Sequence, residues 1–416
     1  MFFRRSILIA LAALPVCAAT LPKAAPEQAG ISQERLKRVS ALVDRYIASG
    51  DIAGSVSLIA RKGKVVHLEA RGVMDLESKK PMQTDSIFRL ASMTKPIASI
   101  AVMMLHEEGR FLLTDPISKF LPEFKNQQVA VANAPHERAT GGYRLVPTTR
   151  DINIRDLLTH TSGLASGTAG PTMAIAAKLS ASRKPDETLA QFMPRLAALP
   201  LNFQPGSAWE YGPATDVLGR LVEVLSGETL DQYFKNHIFA PLGMNDTHFY
   251  LPDALLPRLA TVYTKTDGGL QKLPALGPAN RNGKYFSGAG GLAGTAEDYV
   301  RFCQMLLNGG QLDGKRLVSR KTIEAMTANH IGRLPMWNEA LSGYRFGLGF
   351  RVRQDMGQAT TLGSVGSFGW GGAYGTYFWV DPKEEMIGIL MIQLIPYAHV
   401  NIRQQFQNAA TQAIID

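Results

Sequence analysis

Phe88-Arg89-Leu90-Ala91-Ser92-Met93-Thr94-Lys95-Pro96, followed by the apolar run Ile97 to Leu105, is the stretch around which the rest of the chain can be ordered. Ile100, Met103 and Met104 recur at helical spacing, which predicts a helix running to about His106, with Gly109 as its stop signal. Pro96 is tolerated in a first helical turn, because the amide it lacks would have had no partner there. Ser92 therefore falls at a helix start, and the spacing of three sets Lys95 one turn away on the same face. A serine hydroxyl becomes nucleophilic when a neighbour takes its proton, and an amine held away from water can be that neighbour. The unpaired amides of a helix start also favour an anion forming there. Alone, the pattern equally describes a capping serine followed by a solvated lysine, so its meaning rests on the rest of the chain.

Residues 1–19 have the layout of a secretory leader: a basic head, Met1-Phe2-Phe3-Arg4-Arg5, then the apolar run Ser6 to Val16 and a cleavage point near Ala18 or Ala19. The run is shorter than the roughly 20 residues that span a bilayer, so removal on export is expected, with a periplasmic or secreted product and no stable membrane insertion. Of the two cysteines, Cys17 lies in the leader, leaving Cys303 without a disulfide framework. The 416 residues, 45% hydrophobic and 19% charged, describe a globular chain with ample core. Its +9 formal charge is scattered in short pairs such as Arg61-Lys62 and Lys79-Lys80, which does not make a nucleic-acid groove.

Periodicity predicts a helix over Ser32 to Ile47, then strands over Ile52 to Ala60 and Val65 to Arg71. The segment Phe120 to Thr149 reads as a long irregular loop, a candidate wall or lid over a site. Helices are expected at Ile154 to His160, Glu187 to Leu199, Ala214 to Leu225, Thr229 to Phe239 (stopped by Pro241) and Ala296 to Leu307. The end reads as strands at Phe346 to Arg353, Thr376 to Val380 and Met386 to Gln393, closed by a helix over Val400 to Ile415. The expected fold class is α/β, or α+β: one antiparallel sheet built from both chain ends, flanked by helices, with an all-α insertion. In domain terms this is a discontinuous unit of residues 20–85 plus 265–416 and a mainly helical unit of 86–264.

Competing chemistries find little support. His106-Glu107-Glu108 lacks the second histidine of a zinc-protease helix, so neither a metal nor another cofactor is expected. Gly309 to Lys315 has phosphate-loop spacing, but Arg316 stands where magnesium needs a hydroxyl. No serine sits in a Gly-x-Ser-x-Gly frame.

Two further stretches bear on Ser92. Gln204-Pro205-Gly206-Ser207-Ala208-Trp209-Glu210-Tyr211-Gly212-Pro213 ends a loop before a helix, and Ser367-Phe368-Gly369-Trp370-Gly371-Gly372-Ala373 precedes a strand. With these three ordered motifs, and with Ile154 to Leu164 and Gly290 to Asn308, the chain resembles the serine β-lactamase and penicillin-binding protein superfamily, and within it the family VIII carboxylesterases. The resemblance implies a β-lactamase-like fold and a serine hydrolase acting on small-molecule esters. It implies Ser92 as acylated nucleophile, Lys95 as its base and Tyr211 as proton relay. The Ser92 and Ala373 amides would form the oxyanion hole, and Trp370, Gly371 and Gly372 would line the substrate site.

The departures from the superfamily pattern point the same way. Trp370-Gly371-Gly372 replaces Lys-Thr-Gly or His-Thr-Gly, removing a cation and a hydroxyl that would grip a carboxylate. Tyr211-Gly212-Pro213 replaces Tyr-x-Asn, removing a side-chain amide. Both favour a neutral ester over a β-lactam. The competing readings are a β-lactamase or D-Ala-D-Ala peptidase, an acyltransferase, and a penicillin-binding sensor that stops once acylated. His160, in a Leu-Thr-His-Thr-Ser-Gly turn, is expected to hold that loop, and Asp156 and Asp216 to be structural.

Overall fold

Strands from the two ends of the chain pair with one another in the computed structural model, which describes residues 20–133, 142–184, 186–274, 277, 283–336 and 342–416. They are β1 (Gly54–Arg61), β2 (Lys64–Asp75), β3 (Lys80–Pro81), β4 (Tyr344–Phe346), β5 (Arg351–Arg353), β6 (Phe368–Gly371), β7 (Tyr377–Asp381) and β8 (Met386–Met391). Their order is β4-β5-β6-β7-β8-β1-β2-β3, antiparallel throughout. The helices that frame the sheet and the site are α1 (Gln33–Ala48), α2 (Thr94–Glu107), α3 (Ala214–Ser226), α4 (Ala296–Leu307) and α5 (Ile402–Thr411). None of the described helices is long and apolar enough to cross a membrane.

Period-2 alternation sorts the strand side chains between two cores. Val56, Leu58, Ala60, Phe378, Val380, Ile387 and Ile389 join one cluster with α2 and α4. Ile59, Tyr377, Trp379 and Leu390 join another with α1 and α5. Every residue of β1 is buried, as expected for a strand covered on both faces. Each large apolar side chain so buried contributes about 1.5–3 kcal/mol. Trp379 fits because its cross-strand partner is Gly388, where a Cβ would lie 2.0 Å from the indole.

Several expectations are corrected. Phe346 to Arg353 is not one strand but the hairpin β4–β5, closed by Gly347 N donating to Phe350 O at 2.8 Å. Gly349 in that turn has φ +94°, which a β-branched or bulky residue could not adopt without strain. Parts of the segment Phe120 to Thr149 form strands rather than irregular loop: Gln128–Ala132 pairs with Tyr143–Pro147, and the first of these strands bonds to Leu201 in both directions at 2.7 and 2.8 Å. Its described residues line neither cavity at the site. Residues 134–141, within the suggested lid, and the leader at residues 1–19 lie outside the described residues. Pro241 does not end its helix. A π turn over Lys235–Phe239 leads directly into Ala240–Leu242, and Gly243 supplies the left-handed cap. The helix Met173–Ala181 is apolar on nearly every face and so shows no helical stripe, and Arg320–Met326 is too short to show one, so neither is legible in the sequence.

Candidate active site

Ser92 sits in a 3-10 turn, Ala91–Met93, that runs straight into α2. Ala91 has φ +46°, a left-handed conformation that costs a residue with a Cβ about 1–2 kcal/mol. The surroundings hold it there. Leu90 N donates to Leu292 O at 2.9 Å, Thr376 Oγ1 donates to Leu90 O at 3.1 Å, and Tyr299 Oη of α4 donates to Met93 O at 2.9 Å. The serine turn is thus tied to both the sheet and the helical layer.

Lys95 is buried, and its Nζ lies 3.3 Å from Ser92 Oγ and donates to Ala289 O at 2.6 Å. It also stands over the face of the Tyr211 ring, 4.4 Å from the centroid. The Ala289 carbonyl is itself positioned by Asp216, in the first turn of α3. Asp216 Oδ1 accepts from Ala289 N at 2.9 Å and Ser287 Oγ at 2.7 Å, while Oδ2 accepts from Tyr285 Oη at 3.0 Å. Asp216 is therefore structural as expected, but it acts on the segment that holds Lys95. Asp156 caps its own helix start and pairs with Arg150 at 2.5 Å, a local role.

Tyr211 is wedged into an aromatic cluster. Its ring lies 4.9 Å from His160, 5.5 Å from Trp370 and 6.5 Å from Trp209, and Trp370 Nε1 donates to its hydroxyl at 3.4 Å. Phe346 closes the cluster, 5.3 Å from His160 and 5.2 Å from Trp370. His160 has φ +59°, holds the loop through its carbonyl, which accepts from Glu210 N at 3.0 Å, and packs its ring on Tyr211. Burial, reinforced by the nearby Lys95 charge, pushes its imidazole down to about 3. A ring so held is a neutral packing element. The loop role foreseen for it was half of what it does.

The third stretch reaches the serine turn through Gly372. A Cβ there would lie 2.3 Å from Leu90 O and 2.2 Å from Thr376 Oγ1, so the close approach requires glycine. Gly372 N donates to Thr376 O at 2.8 Å, closing the turn between β6 and β7. The Ala373 amide enters no backbone hydrogen bond among the described residues. Ser92, Tyr211, Trp370, Gly371, Gly372 and Ala373 all line one cavity of about 370 Å³, with Lys95 bonded beneath it. A second cavity of about 740 Å³ meets it at Tyr211 and is walled mainly by apolar and aromatic groups, among them Leu179, Phe192, Leu196 and Tyr285.

Residues 39–407 match the family described as Beta-lactamase. The chain belongs to that family. Similar proteins include protein Rv1367c of Mycobacterium tuberculosis, 36% identical over 363 residues, covering 84% of this chain and 87% of that one. Esterase EstB of Burkholderia gladioli is 31% identical over 367 residues, covering 83% and 86%. Among solved structures, EstCE1, described as a hydrolase with promiscuous acyltransferase activity, superposes with a TM-score of 0.75 at 30% identity, covering 91% of this chain and 98% of that one. With the beta-lactamase fold and esterase relatives, the molecule is a serine hydrolase.

In this beta-lactamase-family hydrolase Ser57 also has a histidine and an acid nearby. Ser57 Oγ shares a 2.8 Å hydrogen bond with His67 Nε2, and His67 Nδ1 is 3.9 Å from Glu69. Ser57 and His67 are buried within β1 and β2, and burial lowers the imidazole well below its usual range. Neither cavity at Tyr211 reaches this pair. Two arginines that sequence reading did not single out do line the smaller cavity: Arg351 of β5 and Arg403 of α5. Nothing local in the sequence marks them, because they meet only where α5 packs against the sheet.

Proposed function

We propose that this serine hydrolase cleaves carboxylic esters with small acyl groups through an acyl-enzyme on Ser92. The observation that supports it best is the grouping of Ser92 Oγ, Lys95 Nζ and the Tyr211 ring within 4.4 Å of the lysine, at the floor of a cavity. In this reading Lys95 Nζ, anchored on Ala289 O and 3.3 Å from Ser92 Oγ, takes the hydroxyl proton as the serine attacks the ester carbonyl. The oxyanion is met by the Ser92 and Ala373 amides. Tyr211 carries a proton to the departing alkoxide, and the C–O bond to the alcohol breaks. Water then repeats the sequence on the acyl-enzyme, releasing the acid and restoring Ser92. Trp370, Gly371 and Gly372 form the wall beside the reacting carbonyl.

Ser92→Ala should abolish turnover of an activated short-chain ester with folding intact, and Lys95→Ala should be nearly as damaging because the two act as a unit. Substantial residual turnover in folded Ser92→Ala would remove Ser92 from the mechanism. Ala373→Pro deletes one oxyanion donor and should lower kcat by about 10²–10³-fold. Because Trp370-Gly371-Gly372 lacks the hydroxyl, and Tyr211-Gly212-Pro213 the side-chain amide, of the lactamase pattern, a short acyl ester should exceed a cephalosporin and a D-Ala-D-Ala peptide in kcat/KM. A tenfold preference for either rival substrate would overturn the ester reading. The meeting of two cavities at Tyr211 leaves room for an alcohol acceptor. We propose transfer as a side reaction, with water the main acceptor, checked by product ratios at modest alcohol concentration. The leader pattern at residues 1–19 supports the reading that the enzyme is exported, which fractionation of the producing cells tests.

A further inference from the structure

The smaller cavity is not the neutral slot that Trp370 suggests. Arg351 and Arg403 both line it, with Tyr344, Tyr377 and Tyr397, and among the described residues no aspartate or glutamate does. Neither guanidinium has an ion pair there. Uncompensated cations held partly out of water in a cavity open to substrate are costly unless something anionic arrives.

The two arginines differ in what they have left to offer. Arg403 is nearly saturated by protein. Its Nη2 donates to Thr376 O at 2.7 Å and to Gly372 O, its Nε to Gly375 O at 3.2 Å, and its Nη1 to Tyr397 Oη. It clamps the β6–β7 turn and lies 3.7 Å over the Tyr397 ring. It supplies charge rather than donors, and burial lowers its affinity for the proton to about 10, as expected for a cation without a counter-ion. Arg351 is fixed by only one hydrogen bond, from Nη2 to Tyr377 Oη at 3.0 Å, with its guanidinium 4.4 Å over the Tyr344 ring. Its remaining N–H groups have no protein acceptor among the described residues, and a guanidinium fork matches a carboxylate in two parallel hydrogen bonds.

We propose that Arg351, backed by the charge of Arg403, forms an anion subsite in the cavity beside Ser92, and that the ester preferred there carries a carboxylate. The cation missing from position 370 is in this way supplied from β5, in the wall of the same cavity. The larger cavity, where Arg183 and Lys184 stand beside the aromatic groups and Asp216 supplies an acid, takes the other half. The proposal rests on Ser92 being the site of acylation.

Two matched pairs of esters test it on the full enzyme. One pair puts the charge on the acid half: the mono-4-nitrophenyl ester of glutaric acid against 4-nitrophenyl pentanoate. The other puts it on the alcohol half: 4-carboxyphenyl butyrate against 4-carbamoylphenyl butyrate. In one of the pairs kcat/KM should favour the charged member by about tenfold or more, mainly through KM, as a charge-assisted hydrogen bond provides. Which pair responds tells which half of the substrate enters the cavity. The charged-to-neutral ratio should fall to about one in Arg351→Gln and recover partly in Arg351→Lys. Ratios near one in both pairs for the wild-type enzyme overturn the subsite without any variant, and a ratio that survives Arg351→Gln overturns the assignment to Arg351. If no ester of either kind is turned over, the hydrolytic reading fails instead. The subsite is then decided by thermal stabilisation of Ser92→Ala with glutarate, expected in that protein and absent when Arg351→Gln is added; no stabilisation overturns it.

Discussion

His160 shows how one buried side chain can couple the site to stability. The unfolded chain protonates this imidazole below about 6.5, whereas the folded protein resists until about 3. The folded pKa is depressed, so stability falls as the pH drops through that window, by roughly 3 kcal/mol between pH 7 and 4 for this group alone. Asp298, which burial pushes up to about 6, takes its proton earlier in the folded state and works in the opposite direction. The contribution of His160 is therefore read as a difference. Asn tolerates the left-handed backbone at this position, so His160→Asn should lose less stability than the wild type between pH 7 and 4, by denaturant titration. Parallel curves would show the imidazole to be proton-accessible. At the same scale, Asp216→Ala frees the Ala289 carbonyl that holds Lys95. We expect kcat to fall roughly 10²-fold with KM little changed, as small misplacements of a reacting group do. Asp216→Asn, which still accepts from Ala289 N, should recover part of the loss; equal damage from both would tie the effect to charge rather than to position.

At the scale of elements, the junction between the β6–β7 turn and the serine turn is the tightest part of the site. Gly372→Ala forces a methyl against Leu90 O and Thr376 Oγ1, and overpacking of this kind costs about 1–3 kcal/mol. The backbone on either side of the cavity must then separate, so kcat/KM should fall by about 10²-fold with the protein still folded. An active Gly372→Ala enzyme would show that the two turns move independently. The hairpin over Gln128–Ala132 and Tyr143–Pro147 is bonded instead to Leu201, away from the cavities, which explains why a segment that reads as loop is ordered there.

Across the whole molecule, one apolar cluster runs from β1, β7 and β8 through α2 and α4 to Leu221 and Val222 of α3. A core shared in this way links the sheet built from both chain ends to the helices between them, and Arg61 further ties β1 to Asp416 at 2.5 Å. Unfolding should accordingly occur in one transition, with coincident midpoints by far-ultraviolet dichroism, tryptophan fluorescence and loss of activity. Separated midpoints would reveal that the helical region melts on its own.

The sequence alone determined the helix that carries Lys95 with Ser92 just ahead of it, the antiparallel sheet shared by the two ends and, through resemblance to a known family, the motifs around Tyr211 and Trp370. These are local properties: apolar spacing, glycine stops and side chains one turn apart are set within a few residues of each other. What it misjudged were segments whose conformation depends on distant partners. Phe346 to Arg353 looks like one strand because its apolar residues alternate, but the glycines at 347 and 349 fold it back against the Leu158 carbonyl. Only the tertiary structure placed Asp216 behind Lys95, His160 against Tyr211, and Arg351 and Arg403 in the same cavity as Ser92. Those neighbours are brought together by strand order and helix packing, through contacts spanning up to some three hundred residues, and no spacing along the chain encodes them.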